Sequence, residues 1–287
     1  MLKRNLVRII GVTTVLACGS LYAQDPPDSR FFDSDGVRIH YIEEGSGEPI
    51  VLLHGNTQSV GQWLRAGVFQ NLAKDYRVIA FDARGHGESD KPHETSAYGQ
   101  EMALDIFRLL DHLKIARAHI LGYSMGARVV GGAMPAHSER FLTAILGGFP
   151  PARNWSAEDQ RNVEVRSENM LANPPLRLVE QHQDTRALAV LVLGLSALSV
   201  TDREMINVMI PTLGIVGSED RHLQRMEELG RLVPGMKIVV IEGATHSGES
   251  DEPTLIENPS NVTIFLPVTP PAGPPHRWLV AGSEDPR

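Results

Sequence analysis

The sequence predicts an α/β protein built on a mostly parallel sheet with helices on its faces. Three observations carry that expectation. Short apolar runs alternate with longer amphipathic stretches, six of those runs are predominantly apolar rather than alternating, and one strand-to-helix junction carries a Gly-x-Ser-x-Gly turn. The chain has 287 residues, 42% of them hydrophobic, which is enough for a sizeable core and excludes disorder throughout. Lys and Arg number 27 against 35 Asp and Glu, with no basic cluster, so no nucleic-acid partner is expected. A single cysteine, Cys18, leaves no internal disulfide and no Cys-rich zinc site.

Taken in order, residues 1–23 read as a secretory signal peptide. Lys3, Arg4 and Arg8 precede an uncharged stretch of fifteen residues, 9–23, short of the roughly 20 that a membrane span needs. Cleavage after Ala23 gives an exported protein, periplasmic or secreted, with no transmembrane helix in the mature chain. The alternative is a lipid anchor at Cys18, since Val15-Leu16-Ala17-Cys18 resembles a bacterial lipobox.

Residues 24–150 form the first part of the core, with strands expected at 37–41, 50–53, 77–81, 118–121 and 142–146. The helix over 101–113 spaces Met102, Ile106, Leu109, Leu110 and Leu113 along one face. Pro150, Pro151, Pro174 and Pro175 then break the strand rhythm, and the insertion they open runs to about residue 200. Its part 151–186 reads as a short helical cap, with Ser156 and Asp159 capping the first helix. The apolar run 187–200 predicts a buried helix opening the second part of the core, 187–265, which holds strands at 211–216 and 237–241. Every strand run from 50–53 onward is predominantly apolar rather than alternating, as cover on both faces requires. Residues 266–287 begin with five prolines in ten positions and predict an extended or disordered tail.

Chemistry concentrates at Gly122-Tyr123-Ser124-Met125-Gly126, after an apolar strand and before the helix-compatible stretch 127–134. In that context the turn is a nucleophile elbow, which holds the Ser124 hydroxyl out at the carboxyl edge of the sheet. A serine hydroxyl needs a base, and the base an orienting carboxylate. Among 11 histidines, His246 lies on a loop after a strong apolar strand, downstream of Ser124. Asp220 ends the preceding strand and is the candidate acid, with Glu219 as the fallback; the loop Gly147-Gly148-Phe149-Pro150-Pro151 offers no acid. The oxyanion of a tetrahedral intermediate needs two donors, assigned to the backbone N–H groups of Met125 and Asn56. His54, ending a buried strand, reads as a structural hydrogen-bonding group. Backbone dipoles handle the developing charge, so no metal or organic cofactor is implied.

With His54-Gly55, Phe81-Asp82-Ala83-Arg84-Gly85-His86-Gly87-Glu88-Ser89, the elbow, Pro211-Thr212-Leu213 leading to Gly217-Ser218-Glu219-Asp220, and Thr245-His246, the chain resembles the α/β-hydrolase superfamily from about residue 37 to 247. The likeness is to its serine-nucleophile, small-capped, carboxylesterase-like branch. It implies that Asp82, Arg84 and His86 are scaffold and that the cap walls the substrate pocket. Epoxide hydrolases and haloalkane dehalogenases of this superfamily carry an aspartate where Ser124 stands, which disfavours their chemistry here. The resemblance implies an esterase acting on a small-molecule, ester-like substrate. The alternatives are a lactonase or C–C bond hydrolase with the same triad, or a ligand-binding member without turnover.

Overall fold

The structure is a computed structural model that describes residues 27–246 and the short strands Thr263–Phe265 and Leu279–Ala281. The expected signal peptide, the anchor at Cys18 and most of the expected tail lie outside the described residues. Eight strands form one sheet: β1 (Arg30–Ser34), β2 (Val37–Glu44), β3 (Pro49–Leu53), β4 (Arg77–Phe81), β5 (Ala118–Tyr123), β6 (Phe141–Gly147), β7 (Thr212–Gly217) and β8 (Lys237–Ile241). Their spatial order is β1-β2-β4-β3-β5-β6-β7-β8; β1–β2 and β2–β4 pair antiparallel and every later pairing is parallel.

Alternation along each buried strand builds two cores. Val51 and Leu53 of β3, with Ile120 of β5 and Leu146 of β6, face one side, where helices α3 (Gln100–His112) and α4 (Met125–His137) pack. Ile50, Leu52, Leu121 and Ile145 face the other, under Trp63 of α1 (Gly61–Arg65) and Phe69 of α2 (Val68–Leu72). The inner strands are therefore covered on both sides, which is why they are mostly apolar, with the buried polar pair His119 and Thr143 bonded to each other. β8 departs from that expectation. It is one of the sheet's two edge strands, and Val240 is 43% exposed.

β1 had no counterpart in the sequence reading. Its Phe32 and Ser34 are buried, Phe31 is half-buried and Arg30 and Asp33 are exposed, so two adjacent phenylalanines are all the apolar signal the strand offers. The expected tail also contains an element: Leu279–Ala281 pairs antiparallel with Thr263–Phe265. No proline falls between Pro275 and Pro286, so nothing in the backbone obstructs that ladder.

The insertion comprises α5 (Ala157–Ala172), α6 (Leu176–Glu180) and α7 (Thr185–Gly194), followed by a 3-10 turn over Leu195–Leu198. Ser156 and Asp159 form a reciprocal capping box at the start of α5. The expected boundary between residues 186 and 187 cuts α7 and is moved by the structure to about residue 200. Leu188 and Ala189 pack with Met170 and Leu178 of the cap, whereas Leu191 belongs to the main core. One helix thus serves both units. Entry and exit meet where Val200 N–H donates to Ala152 O (2.9 Å) and Asn154 N–H to Val200 O (2.9 Å). After the cap come α8 (Asp202–Met205) and α9 (Leu223–Leu232), the latter packed on β7 and β8. No helix among the described residues is long and apolar enough to cross a membrane.

The turn after β4 is a buried polar hub. Asp82 accepts hydrogen bonds from His40 Nδ1 (2.8 Å), Val60 N–H (2.7 Å) and Glu88 N–H (2.8 Å). Arg84 pairs with Asp105 through two parallel bonds, Nε to Oδ2 (2.7 Å) and Nη2 to Oδ1 (2.6 Å). His54 Nδ1–H donates to Gly55 O (2.7 Å), and its Nε2 accepts from Ala83 N–H (3.1 Å).

Burial lowers the pKa of His54 against the pull of Asp82, and burial followed by His54 pushes that of His86 down to about 3. Burial holds both rings toward the neutral form in the fold, and below about 6.5, where an unfolded histidine titrates, they gain a proton on unfolding. Between about 6.5 and the folded value of about 3, the unfolded chain binds more protons, so stability falls as pH drops through that window. The thermal midpoint is accordingly expected to be lower at acid than at neutral pH. A midpoint that holds or rises on acidification contradicts the buried neutral pair.

Candidate active site

The loops after β3, β5, β6, β7 and β8 all emerge at the carboxyl edge of the parallel strands, and they bring the candidate residues to one place. Ser124 adopts φ 52°, ψ −111°, a conformation that costs a non-glycine residue roughly 1–3 kcal/mol. Its neighbours permit it. A Cβ at Gly122 would stand 2.4 Å from the backbone of Gly126, and one at Gly126 would stand 2.1 Å from Leu53 O. Ser124 N–H donates to Gly147 O (2.8 Å), and Arg128 N–H to Ser124 O (3.1 Å), which pins the turn from both sides. The hydroxyl then stands at the N-terminus of α4, where unpaired N–H groups favour negative charge.

Ser124 Oγ lies 2.9 Å from His246 Nε2, and His246 Nδ1 lies 2.8 Å from Asp220 Oδ2. The Asp220 side chain is fully buried and that of His246 is 18% exposed. The second oxygen of Asp220 accepts His222 N–H (2.9 Å). Burial opposes ionisation of Asp220, but the bonds from His246 and His222 outweigh it and hold the carboxyl below the usual range. Glu219, the fallback, is exposed.

The histidine loop is braced from inside. Tyr123 stacks on the His246 ring at 5.8 Å and donates its hydroxyl to His246 O. Glu219 N–H donates to Ala244 O (3.1 Å) and Gly243 N–H to Ser218 Oγ (2.8 Å), tying the His246 loop to the Asp220 loop. A Cβ at Gly217 would meet Ala244 O at 1.9 Å, so these loops are in direct backbone contact.

Asn56 and Met125 line the cleft beside Ser124. Met125 is the first residue of α4, so its N–H has no intrahelical acceptor. Gly55 N–H is taken by Gln62 Oε1 (3.0 Å), whereas no group among the described residues takes Asn56 N–H. The Asn56 side chain is held by His86, whose Nε2 donates to its Oδ1 (3.2 Å). The turn after β4 thereby reaches the loop that carries Asn56.

His222 was missed by sequence reasoning. Its ring lies 4.1 Å from Phe149 and 5.2 Å from His246, centroid to centroid, and its Nε2 accepts from Arg221 Nε (3.2 Å). Burial, opposed by Asp220, pushes it down to about 4, so it is a neutral wall for the triad. Its place two residues after the acid was the only available signal. Asp220, His222 and His246 are also the one metal-like cluster among the described residues, with ligand atoms within 4.8 Å of one another. Their atoms are engaged already: both His246 nitrogens by Ser124 and Asp220, and His222 Nε2 by Arg221. The donor set fits a hydrogen-bond relay better than a metal shell.

Residues 48–178 match the family described as alpha/beta hydrolase fold. The chain is 41% identical over 95 residues to a soluble epoxide hydrolase of Corynebacterium sp. (strain C12), covering 33% of this chain and 32% of that protein. It is 36% identical over 126 residues to the 2-hydroxy-6-oxo-6-(2'-aminophenyl)hexa-2,4-dienoic acid hydrolase of Metapseudomonas resinovorans, covering 42% and 41%. Among solved structures, a malate-bound thermophilic esterase from Thermogutta terrifontis superposes with a TM-score of 0.67 at 24% identity, over 76% of this chain and 91% of that one. The eight-stranded sheet, its switch to parallel pairing and the match over 48–178 define an α/β-hydrolase fold. Over residues 48–178, just under half of its length, the chain is similar to the α/β-hydrolase superfamily. It spans about a third to a half of the length of the curated relatives it matches.

Proposed function

We propose that the chain is an exported serine hydrolase that cleaves a small carboxylic ester through an acyl-enzyme. The supporting observation is the unbroken relay from Ser124 Oγ through His246 to a buried, ionised Asp220. Ser124 Oγ attacks the acyl carbon as its proton passes to His246 Nε2. The tetrahedral oxyanion is held by Met125 and Asn56 N–H, and Asp220 keeps the Nδ1 proton of His246 in place. The acyl–oxygen bond of the ester breaks, and the alcohol leaves with the proton from His246. Water then attacks the acyl-Ser124 ester, its proton passing through His246 back to Oγ, and the carboxylic acid departs.

The nucleophile sets this reading apart from the epoxide hydrolase and dehalogenase relatives. A covalent adduct on Ser124 is an ester at a carbonyl carbon that water can attack directly. Lactone or C–C bond cleavage by the same residues is a second reading, favoured by the 36% identity with the hexadienoic acid hydrolase. A panel of esters graded in acyl length, with homoserine lactones and β-diketones added, tests both. Turnover confined to lactones or diketones overturns the ester reading.

Export rests on the first 23 residues. The N-terminal mass of the protein from a bacterial host is expected to begin at Gln24. A diacylated Cys18 supports a lipoprotein instead, and an uncut chain contradicts both.

A further inference from the structure

The cleft over Ser124, about 1030 Å³, is lined by five arginines, Arg65, Arg128, Arg166, Arg177 and Arg221, and by no carboxylate among the described residues. This is unexpected for a chain of formal charge −8. Several arginines outside the cleft are paired, among them Arg77 with Glu43, Arg84 with Asp105, Arg140 with Asp111 and Arg153 with Asp202. Among the described residues none of the five cleft arginines has such a partner.

Arg128 is the telling member. It follows Ser124 by one turn of α4 and is only 9% exposed. The guanidinium lies 4.8 Å from the Trp155 ring centroid and donates from Nη2 to Leu195 O (3.0 Å), while its buried Nε has no hydrogen-bond partner. Asp159, the acid whose field reaches it, is committed to the capping box with Ser156. Burial above all, then Arg225 and Arg166, push Arg128 down to about 10. Arg84, also buried, shows one way such a group is satisfied: two parallel bonds to a carboxylate.

We infer that the substrate itself carries a carboxylate, which docks on Arg128 with Arg166 and Arg221 around it while the scissile carbonyl sits at Ser124. This deepens the ester-hydrolase reading and rests on it. Ser124 and Arg128 are roughly 6 Å apart along the helix axis, so a short dicarboxylic half ester is the matching probe.

The test is calorimetric titration of the full chain carrying Ser124→Ala with monoethyl glutarate and with ethyl valerate, its neutral counterpart. The half ester is expected to bind about 10- to 100-fold more tightly, with the gap narrowing in high salt and closing in Ser124→Ala/Arg128→Met. Equal affinity, or a preference that survives Arg128→Met, overturns the proposal. Should Arg128→Met fail to fold, the exposed pair Arg166→Gln/Arg221→Gln replaces it; weaker binding of the half ester alone is expected, and no change overturns the proposal. Binding is read without turnover, so loss of the preference leaves the hydrolase reading standing. Conversely, tight Arg128-dependent binding to a chain whose Ser124 form hydrolyses no ester overturns that reading and spares the anion site.

Discussion

Ser124→Ala is expected to lower the turnover of p-nitrophenyl acetate by on the order of a millionfold while leaving the circular dichroism spectrum and melting transition unchanged or improved. The size of the effect follows from the relay. With the hydroxyl gone, His246 Nε2 has nothing to activate, and residual rate comes from the oxyanion donors alone. The fold does not suffer, because the elbow is held by Gly122, Gly126 and the bond from Ser124 N–H to Gly147 O, none of which involves Oγ. Comparable turnover in the variant would place the nucleophile elsewhere.

Asp220→Asn is the second large effect, a loss of about ten-thousandfold in turnover. Asp220 is buried, ionised and bonded to His246 Nδ1 and His222 N–H at once. An amide there can present its NH₂ to His246, which selects the tautomer that carries the proton on Nε2 and cannot accept from Ser124. Glu219→Gln, at an exposed neighbour, is expected to retain turnover within a few fold. Reversal of the two results would reassign the acid.

Much of this site was legible because it is written in local contexts. Gly122-x-Ser124-x-Gly126 is informative between a strand and a helix, since only glycine tolerates the 2.4 Å and 2.1 Å approaches found there. His246 and Asp220 were legible because each lies on the loop that follows an apolar strand, downstream of Ser124. What could not be read depends on packing between distant segments. The split role of α7 arises because its two faces meet different cores, which an apolar run conceals. β1 contributes Phe32 and Ser34 to the interior and carries too few apolar residues to announce a strand. His222 acquires its role from Phe149 and His246, both far from it or folded back onto it. Arg128 looks in sequence like any helix-surface cation; only burial without a carboxylate sets it apart.

Peptide mapping after reaction with a fluorophosphonate reads the activated hydroxyl itself. The relay predicts one stoichiometric adduct, on Ser124, formed far more slowly in His246→Gln. An adduct on another residue, no adduct, or an equal rate in His246→Gln would contradict it.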